Sequence, residues 1–257
     1  MLVVSQEKMK RILALLTRAY GLRQWKCWGR GVDVLVDTIL SQNTSDKNST
    51  AGFKQLRRRF KSWNQVADAD VNEVERHIRV SGLSRQKAPR IQAILRQIRT
   101  ERGKINLQFL HKLTEQQAYE YLTNFNGVGP KTANCVLLFA FGKAMFPVDT
   151  HIHRIAKRLG LISPRASAEQ AHDLLQPMIA PADRYPLHVL LIEHGRKTCK
   201  AINPKCEVCV LKRICPSAGK FHNPSRGRRA WRWFRRLNFA SPGTDRDPAH
   251  AGKEMQD

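Results

Sequence analysis

Four cysteines constrain the fold of this chain more than any other feature of its sequence. Cys199, Cys206, Cys209 and Cys215 lie within 17 residues, spaced C-x6-C-x2-C-x5-C. Because the loop is compact, all four thiolates can face one centre, and both zinc and an iron–sulfur cluster accept four thiolates. The spacing does not match the paired C-x2-C of zinc ribbons, and free cysteines rarely cluster so tightly without a metal. The loop therefore predicts a metal centre of one of these two kinds.

The apolar segments indicate the compartment. No stretch approaches the roughly 18 apolar residues of a membrane span, and residues 1–6 lack the charged-then-apolar plan of a signal peptide. We therefore expect a cytoplasmic protein with no membrane partner, in which cysteines remain thiols or metal ligands. Cys27 and Cys135 lie apart from the cluster, and Cys135 is predicted to be a core residue on an apolar helix face.

The charge balance points to a polyanionic partner. The 257 residues include 45 Lys and Arg against 21 Asp and Glu, a net charge of +24. From residue 217 to the end, nine Lys and Arg and four Asp and Glu leave +5, so the preceding 216 residues carry +19. Each cation that meets a phosphate releases a counterion, which favours nucleic acid as the partner. A basic surface that serves solubility, or one like that of ribosomal proteins, would give the same charge, and charge alone does not separate these interpretations.

The hydrophobic periodicity is helical almost throughout. Apolar stripes predict a first helix over about 6–20 and a second near 32–41, and Asp46 is predicted to begin a third that ends in the basic run 57–59. No run alternates convincingly enough for a sheet, so the predicted fold class is all-α, with some ten short helices. Capping boxes are predicted at three further helix starts, in the pairs Asp70 with Glu73, Thr114 with Gln117, and Ser167 with Gln170.

The composition changes after the cysteine loop. Residues 217–257 form a basic tail, which is polar and expected to be disordered beyond Ser241. A cluster of Trp and Arg over 228–236 has two interpretations: aromatic rings and guanidinium groups that stack on bases, or a short amphipathic helix packed on the body. The sequence does not separate them.

A glycine-rich turn before an apolar helix is the second chemical signal. The segment 126–133 reads NGVGPKTA, in which Gly127 and Gly129 flank one apolar residue. Glycine permits a left-handed turn and brings backbone N–H groups close to a ligand, and such donors at a helix N-terminus bind phosphate. Pro130 suits the first helical turn, where its missing N–H is not needed. With helices on both sides and no strand before it, the turn points away from a dinucleotide-binding fold.

A carboxylate and two histidines follow in the segment 147–154, PVDTHIHR. Asp149 is predicted to cap the next helix, a role that is compatible with catalysis by the same carboxylate. His151 and His153 look like metal ligands in isolation, but no nearby carboxylate or third histidine completes a site. They are therefore predicted to be helix-surface or packing residues.

Three segments, taken in order, resemble endonuclease III of the helix–hairpin–helix glycosylase superfamily. They are the G-V-G-x-K-T-A turn, V-D-T-H-I with its Asp eighteen residues after the Lys, and H-G-R-x-T-C opening the cysteine loop. The likeness covers about residues 30–216. It implies a two-domain all-α fold, in which DNA lies in the cleft between a six-helix domain with the hairpin and an iron–sulfur cluster domain. The implied division assigns 1–24 and 146–216 to the cluster domain, 25–145 to the six-helix domain and 217–257 to the tail.

The resemblance also implies the chemistry. Lys131 would be the nucleophile and Asp149 its carboxylate partner, while the four cysteines of the loop would hold a 4Fe-4S cluster. An unprotonated amine attacks the sugar C1′ and displaces the damaged base, and the carboxylate takes a proton and stabilises positive charge on the sugar. The resulting Schiff base permits β-elimination, which nicks the strand. The lysine predicts this bifunctional form, because Asp149 with water alone would give a glycosylase without lyase action.

The damaged nucleotide must leave the duplex to be reached, and another side chain must fill the gap. The segment 40–46, LSQNTSD, resembles the family's S-x-Q-x-T-D, whose Gln plugs the stack. Alignment through Asp46 places Asn43 at the plug position with Gln42 beside it, and Leu83 matches the family's apolar wedge. The DNA-binding residues implied by the resemblance are Gln42, Asn43, Leu83, Gly127, Val128, Gly129, Thr132 and His151.

These observations predict a DNA glycosylase and AP lyase of base excision repair. We expect a nucleoid-associated monomer that removes oxidised pyrimidines from double-stranded DNA. A mismatch or modified-pyrimidine glycosylase of the same superfamily is the alternative, because the Gln42–Asn43 pair departs from the family pattern. A non-catalytic, redox-sensing DNA-binding protein would fit the cysteine loop and the charge but leave Lys131 and Asp149 unexplained. A zinc-stabilised DNA-binding module is a further alternative, which the colour of an iron–sulfur cluster would exclude.

Overall fold

The structure, a computed structural model, describes residues 2–220, with side chains described from residue 6. Within that range it consists of α-helices, short 3₁₀ turns and connecting loops and has no β-strand, which confirms the all-α prediction. No helix of this range is long and apolar enough to cross a membrane. The helices are α1 (Leu2–Tyr20), α2 (Gly31–Leu40), α3 (Asp46–Arg59), α4 (Trp63–Asp68), α5 (Val71–Ile78), α6 (Ser84–Arg102), α7 (Glu115–Thr123), α8 (Pro130–Phe141), α9 (Thr150–Arg158), α10 (Ala168–Leu175) and α11 (Pro181–Lys197).

The first three helices follow the sequence pattern closely. α1 contains the predicted stretch 6–20, and α2 begins and ends one residue before its predicted bounds. α3 runs from Asp46 into the basic run as predicted, and its cap is Ser45, whose hydroxyl accepts a hydrogen bond from the Asn48 backbone N–H at 3.3 Å.

Two of the predicted capping boxes are complete. At the start of α7 the Thr114 hydroxyl accepts from the Gln117 N–H while the Gln117 side chain accepts from the Thr114 N–H. Ser167 and Gln170 make the same reciprocal pair before α10. These helix starts are encoded within four residues, which is why the sequence alone locates them.

The third predicted box is half formed. Asp70 caps α5, since its carboxylate accepts from the Glu73 backbone N–H at 3.3 Å. Glu73 does not reach back, because its carboxylate pairs instead with Arg59 of α3 at 2.6 Å. The prediction of a reciprocal box was therefore wrong here, and a tertiary ion pair is the reason. A complete box that the sequence analysis missed joins Ser62 and Gln65 before α4.

Two hydrophobic cores organise the described helices. One consists of buried residues between 32 and 145, contributed by α2 to α8. The other joins the Met9, Ile12 and Leu16 side chains of α1 to buried residues between 146 and 211. Three thiols of the cysteine loop pack against this second core. The division into two domains at the stated boundaries remains a prediction, which the two cores support.

α2 and α8 pack side by side in opposite directions. Gly31 at the start of α2 lies against the Phe141 ring at the end of α8, so closely that a Cβ would clash. At the other end, Gln42 just beyond α2 hydrogen-bonds Thr132 at the start of α8 at 3.2 Å. This pairing brings the loop after α2 beside the glycine turn before α8. The Trp and Arg cluster of the tail lies outside the described residues, and its two interpretations stay open.

Candidate active site

A cavity of about 480 Å³ contains the two predicted catalytic side chains. Its lining residues belong to helices of both hydrophobic cores, so the cavity is a cleft between the two cores. Both apolar and ionisable groups line it. The lining residues are Trp28, Asp33, Val34, Asp37, Thr38, Ser41, Asp46, Ser49, Thr50, Phe53, Lys54, Lys131, Cys135, Phe139, Asp149, His188, Ile192 and Arg196.

Lys131 lies in the first turn of α8 and is half-buried. Gly129 is the N-cap of this helix and Pro130 is its first residue, as predicted, so the chain turns abruptly into the helix. Val128 and Thr132 are buried on either side of this turn. The local sequence thus anchors the backbone around Lys131 and leaves its long side chain to reach the cavity.

Asp149 is the N-cap of α9, as predicted. Its Oδ1 accepts a hydrogen bond from the Ile152 backbone N–H at 2.8 Å, and the residue is half-buried at the cavity wall. No described group hydrogen-bonds its second carboxylate oxygen. The cap therefore orients the carboxylate and leaves one oxygen for chemistry.

The groups around this pair are held in their neutral forms by burial. Burial lowers the pKa of His188 to about 4, and its Nδ1 donates to the Pro147 carbonyl oxygen at 2.9 Å. Burial likewise raises the pKa of the Cys135 thiol to about 11, and the fields of Lys131 and Asp149 act on it in opposite directions. Cys135 is a core residue as predicted, and it also lines the cavity.

Asp37 is a cavity residue that the sequence analysis missed. It lies on α2, half-buried among apolar neighbours. Burial raises the pKa of its carboxyl, the charge of Asp46 raises it further, and Lys131 opposes both effects. The signal that could have revealed it was a carboxylate within the mostly apolar stretch 32–40, which also contains Asp33 and Thr38, since Asp is rarely buried without a partner.

Two further contacts shape the cavity mouth. Asp46 of α3 forms an ion pair with Arg196 of α11, which links the two cores across the cleft. The indole of Trp28 stacks on Phe139 with ring centroids 3.9 Å apart, and Trp28 is 59% exposed. An exposed aromatic face therefore borders the same cavity as the lysine.

The two amide side chains in the loop after α2, Gln42 and Asn43, have different surroundings. The Gln42 side chain donates to the Gly127 carbonyl oxygen at 3.3 Å and accepts from Arg90 of α6, so it ties the loop to the glycine turn. Asn43 is exposed and adopts a left-handed backbone, with φ 53°. Of the two, only Asn43 projects freely from the protein.

Leu83 occupies an equivalent tip at the start of α6. It is 46% exposed and also left-handed, with φ 50°. A left-handed leucine is unusual and persists only where its surroundings enforce it. Among non-glycine residues of the described range, only Asn43, Leu83 and Asn203 have positive φ. Two of these three are the predicted plug and wedge.

The two histidines of the α9 segment are packing residues. His151 is half-buried against Gly195 of α11, where a Cβ would meet its ring, and its Nδ1 accepts from Arg154 at 3.1 Å. The His153 Nε2 hydrogen-bonds the Ala166 carbonyl oxygen. A contact between His151 and DNA remains a prediction.

The thiols of the cysteine loop interact electrostatically. Burial raises the pKa of Cys209 and of Cys215, and the charges of Cys199 and Cys206 raise both further. In the described part of the chain, no three Cys, His, Asp or Glu side chains lie close enough together to share a single ion. Four thiolates from one loop suit either a zinc ion or an iron–sulfur cluster.

Cationic and aromatic groups surround this donor set. Arg158 donates to Cys199 Sγ at 3.2 Å, and Arg154 donates to the Cys199 carbonyl oxygen at 2.8 Å. The buried His194 ring lies 3.6 Å from Cys209 Sγ and is held by the Tyr20 hydroxyl of α1. Such partners orient thiolate ligands and offset their charge. The residues present therefore fit a four-thiolate cluster.

Together these features define a class of protein: an all-helical chain in which a glycine turn opens a lysine-bearing helix, an acid capping a later helix lines the same cleft, and a four-cysteine loop follows. Comparison with known proteins gives the family. Residues 36–181 match the model of the HhH-GPD superfamily base excision DNA repair protein, and residues 199–215 match the iron-sulfur binding domain of endonuclease III. The chain belongs to the HhH-GPD superfamily of base excision DNA repair proteins, and its cysteine loop is an iron–sulfur site.

Individual relatives agree with this assignment. The chain is 34% identical to endonuclease III of Sulfolobus acidocaldarius and 37% identical to that of Thermotoga maritima, over 70% and 71% of this chain and 79% and 81% of those proteins. A candidate DNA glycosylase of Arabidopsis thaliana is 38% identical over 73% of this chain, a match that spans 65% of that relative. A non-covalent endonuclease III–DNA complex superposes with a TM-score of 0.73 at 26% identity, covering 84% of this chain and 97% of that one.

Proposed function

We propose that this protein is a bifunctional DNA glycosylase and AP lyase that removes oxidised pyrimidines from double-stranded DNA. The observation that carries the proposal is the shared cavity, in which Lys131 and Asp149 face one space of about 480 Å³. That volume lies within the roughly 300–1,000 Å³ range of small-molecule sites, so it admits a flipped nucleotide. Endonuclease III relatives and solved structures of endonuclease III with DNA support DNA as the partner.

Lys131 and Asp149 perform the two covalent steps. The Lys131 amine attacks the sugar C1′, so that an N–C1′ bond forms as the bond to the damaged base breaks, and the base leaves as an anion that takes a proton from water. Asp149 accepts the proton lost by the amine and stabilises positive charge on the sugar. Asp149 returns that proton to the ring oxygen as the sugar ring opens to an imine. Loss of a C2′ proton then expels the 3′ phosphate, and water releases the lysine.

Asn43 and Leu83 hold the opened duplex. Both side chains are exposed to solvent at loop tips, and both residues have a left-handed backbone. Asn43 fills the space of the flipped nucleotide, while Gln42 is occupied in holding the loop against Gly127. Leu83 wedges beside it as an apolar side chain.

The α2 wall of the cavity favours bases rich in hydrogen-bond donors. The Thr38 hydroxyl donates to the Val34 carbonyl oxygen at 2.7 Å, and the Ser41 hydroxyl donates to the Thr38 carbonyl oxygen at 2.8 Å. Both hydroxyls therefore keep only acceptor capacity, like an ionised Asp37 carboxylate. Ring hydroxyls and N–H groups of oxidised pyrimidines can donate to this wall, while Trp28 offers a stacking face.

Cys199, Cys206, Cys209 and Cys215 would hold the 4Fe-4S cluster of this family. When bound, the cluster cross-links the loop and fixes its basic residues for contact with phosphates. We also propose that the protein acts as a monomer, because one lesion needs only one such cavity. Its DNA substrate would place it at the nucleoid.

Borohydride trapping tests the proposal. Protein is incubated with duplex DNA carrying thymine glycol or an abasic site, and the imine is reduced to a stable adduct. We expect an adduct from the wild type and from Lys54→Ala, which removes the other lysine lining the cavity, but none from Lys131→Ala. An adduct that survives in Lys131→Ala moves the nucleophile elsewhere.

Two further outcomes distinguish the alternatives. Base release without any adduct indicates a monofunctional glycosylase that depends on Asp149, with a mismatch or modified pyrimidine as substrate. Neither adduct nor base release over a panel of lesions indicates a non-catalytic, redox-sensing DNA-binding protein.

A further inference from the structure

Lys87 is a buried lysine that catalysis does not use. It lies on α6 and is 1% exposed. Its Nζ donates to the Leu40 carbonyl oxygen at 2.7 Å and to the Ser81 carbonyl oxygen at 2.8 Å. No carboxylate pairs with it among the described residues, and burial alone lowers its pKa. Burying an unpaired charged group costs free energy, so its presence here calls for a structural or functional explanation.

The two acceptors identify that reason. Leu40 is the last residue of α2, and the loop carrying Asn43 begins directly after it. Ser81 lies two residues before Leu83. The Lys87 backbone N–H also donates to the Leu83 carbonyl oxygen at 2.9 Å. Lys87 therefore hydrogen-bonds the backbone of both segments, the one that carries the plug Asn43 and the one that carries the wedge Leu83.

Both tips need such support. A leucine at φ 50° is strained, and a left-handed residue persists only where surrounding contacts over-determine it. The Leu40 carbonyl is one of the orphan acceptors at a helix C-terminus, where a cation is favoured. Since the amine is shielded from water, no solvent competes for these bonds.

We propose that Lys87 is a positioning residue that holds the plug and wedge loops at a fixed separation, so that Asn43 and Leu83 enter the duplex together. The proposal rests on the proposed function, because it assigns these two tips to the opened duplex. It predicts that loss of the amine impairs insertion into DNA more than it impairs folding or the chemistry at Lys131.

Gln92 provides a matched control on the same helix. It is 3% exposed, and its Nε2 donates to the backbone carbonyl oxygens of Val66 and Ala69 at 2.9 and 2.8 Å. These acceptors lie at the end of α4 and not at the plug or the wedge. Gln92→Met and Lys87→Met thus remove the same number of carbonyl hydrogen bonds from equally buried positions on α6.

The test measures insertion without requiring catalysis. Each variant is bound to a duplex with 2-aminopurine opposite a tetrahydrofuran abasic analogue, and the fluorescence rise reports unstacking. Single-turnover base release from a thymine glycol duplex and nicking of an abasic site in single-stranded DNA are measured beside it. We expect Lys87→Met to lose most of the fluorescence rise and about ten- to a hundredfold in base release relative to Gln92→Met. Nicking of single-stranded DNA, which needs no insertion, stays within about twofold in both variants.

Equal losses in Lys87→Met and Gln92→Met would overturn the proposal, since they would show a general packing role. So would a wild type that gives no fluorescence rise. A wild type that gives the rise but never releases a base leaves the positioning role intact and refutes the proposed function instead. If Lys87→Met does not fold, Lys87→Arg carries the test, because its longer cation shifts the two carbonyls apart while keeping the charge. Unchanged insertion in Lys87→Arg would then overturn the proposal.

Discussion

Substitution by alanine is expected to change the free energy of unfolding in opposite directions at Gly127 and Gly129, the two glycines of the glycine turn. Gly127 has φ +81°, and a Cβ there would meet the Arg90 side chain, which also donates to Gln42. Gly129 has φ −88° and open space where its Cβ would lie. Only Gly127 therefore needs the left-handed freedom of glycine, although both positions look alike in the sequence.

The magnitudes follow from these geometries. Gly127→Ala adds about 1–2 kcal/mol of left-handed strain and displaces the Arg90 hydrogen bond, worth about 1 kcal/mol. The lower entropy of the unfolded chain returns about 0.4–1 kcal/mol. The free energy of unfolding should fall by about 1–2.6 kcal/mol in Gly127→Ala and rise by up to about 1 kcal/mol in Gly129→Ala.

Urea unfolding of both variants measures this difference, with the visible absorbance of the cluster as a control for intact protein. Gly129→Ala should nevertheless bind duplex DNA more weakly, because its methyl group occupies the approach of a phosphate to the helix N-terminus. Equal unfolding midpoints, or a less stable Gly129→Ala, would refute the reasoning.

Three other predictions concern the cavity and the cluster. Because burial lowers the pKa of His188 to about 4, the unfolded chain binds a proton there that the folded chain does not, so the contribution of His188 to stability is full above about pH 6.5 and falls by about 3 kcal/mol towards pH 4. His188→Gln should remove that part of the pH dependence in urea unfolding at several pH values, while the buried His194, whose pKa is also lowered to about 4, keeps its own part. Asp37→Asn should slow release of thymine glycol while borohydride trapping at an abasic site is retained, and equal losses in both assays would contradict an assignment to base recognition. Oxidative loss of the cluster should expose the loop 199–215 to trypsin, and an unchanged digestion pattern would contradict its cross-linking role.

The local features of the fold could be predicted from the sequence because they are encoded locally. The capping boxes at Thr114 and Ser167 and the bounds of α2 and α3 depend on residues a few positions apart. The half-formed box at Asp70 shows the limit of this reasoning, since Glu73 is drawn away by an arginine from another helix.

The site was predictable where a motif carried it. The roles of Lys131 and Asp149 were implied by the resemblance of their segments to endonuclease III, and the cavity that they share required the fold. Asp37 and Lys87 were missed because their meaning comes from burial and from partners up to 47 residues away. The choice between Gln42 and Asn43 rests on hydrogen bonds and a backbone angle that two adjacent amides do not reveal in a sequence.

The most direct test of the account is to locate the trapped DNA on the wild-type protein. After borohydride reduction on an abasic duplex, the adduct is digested with nuclease and protease, and the modified peptide is sequenced by mass spectrometry. The account predicts a single modified residue, Lys131. A modification at Lys54, at Lys87 or at the N-terminal amine would contradict it.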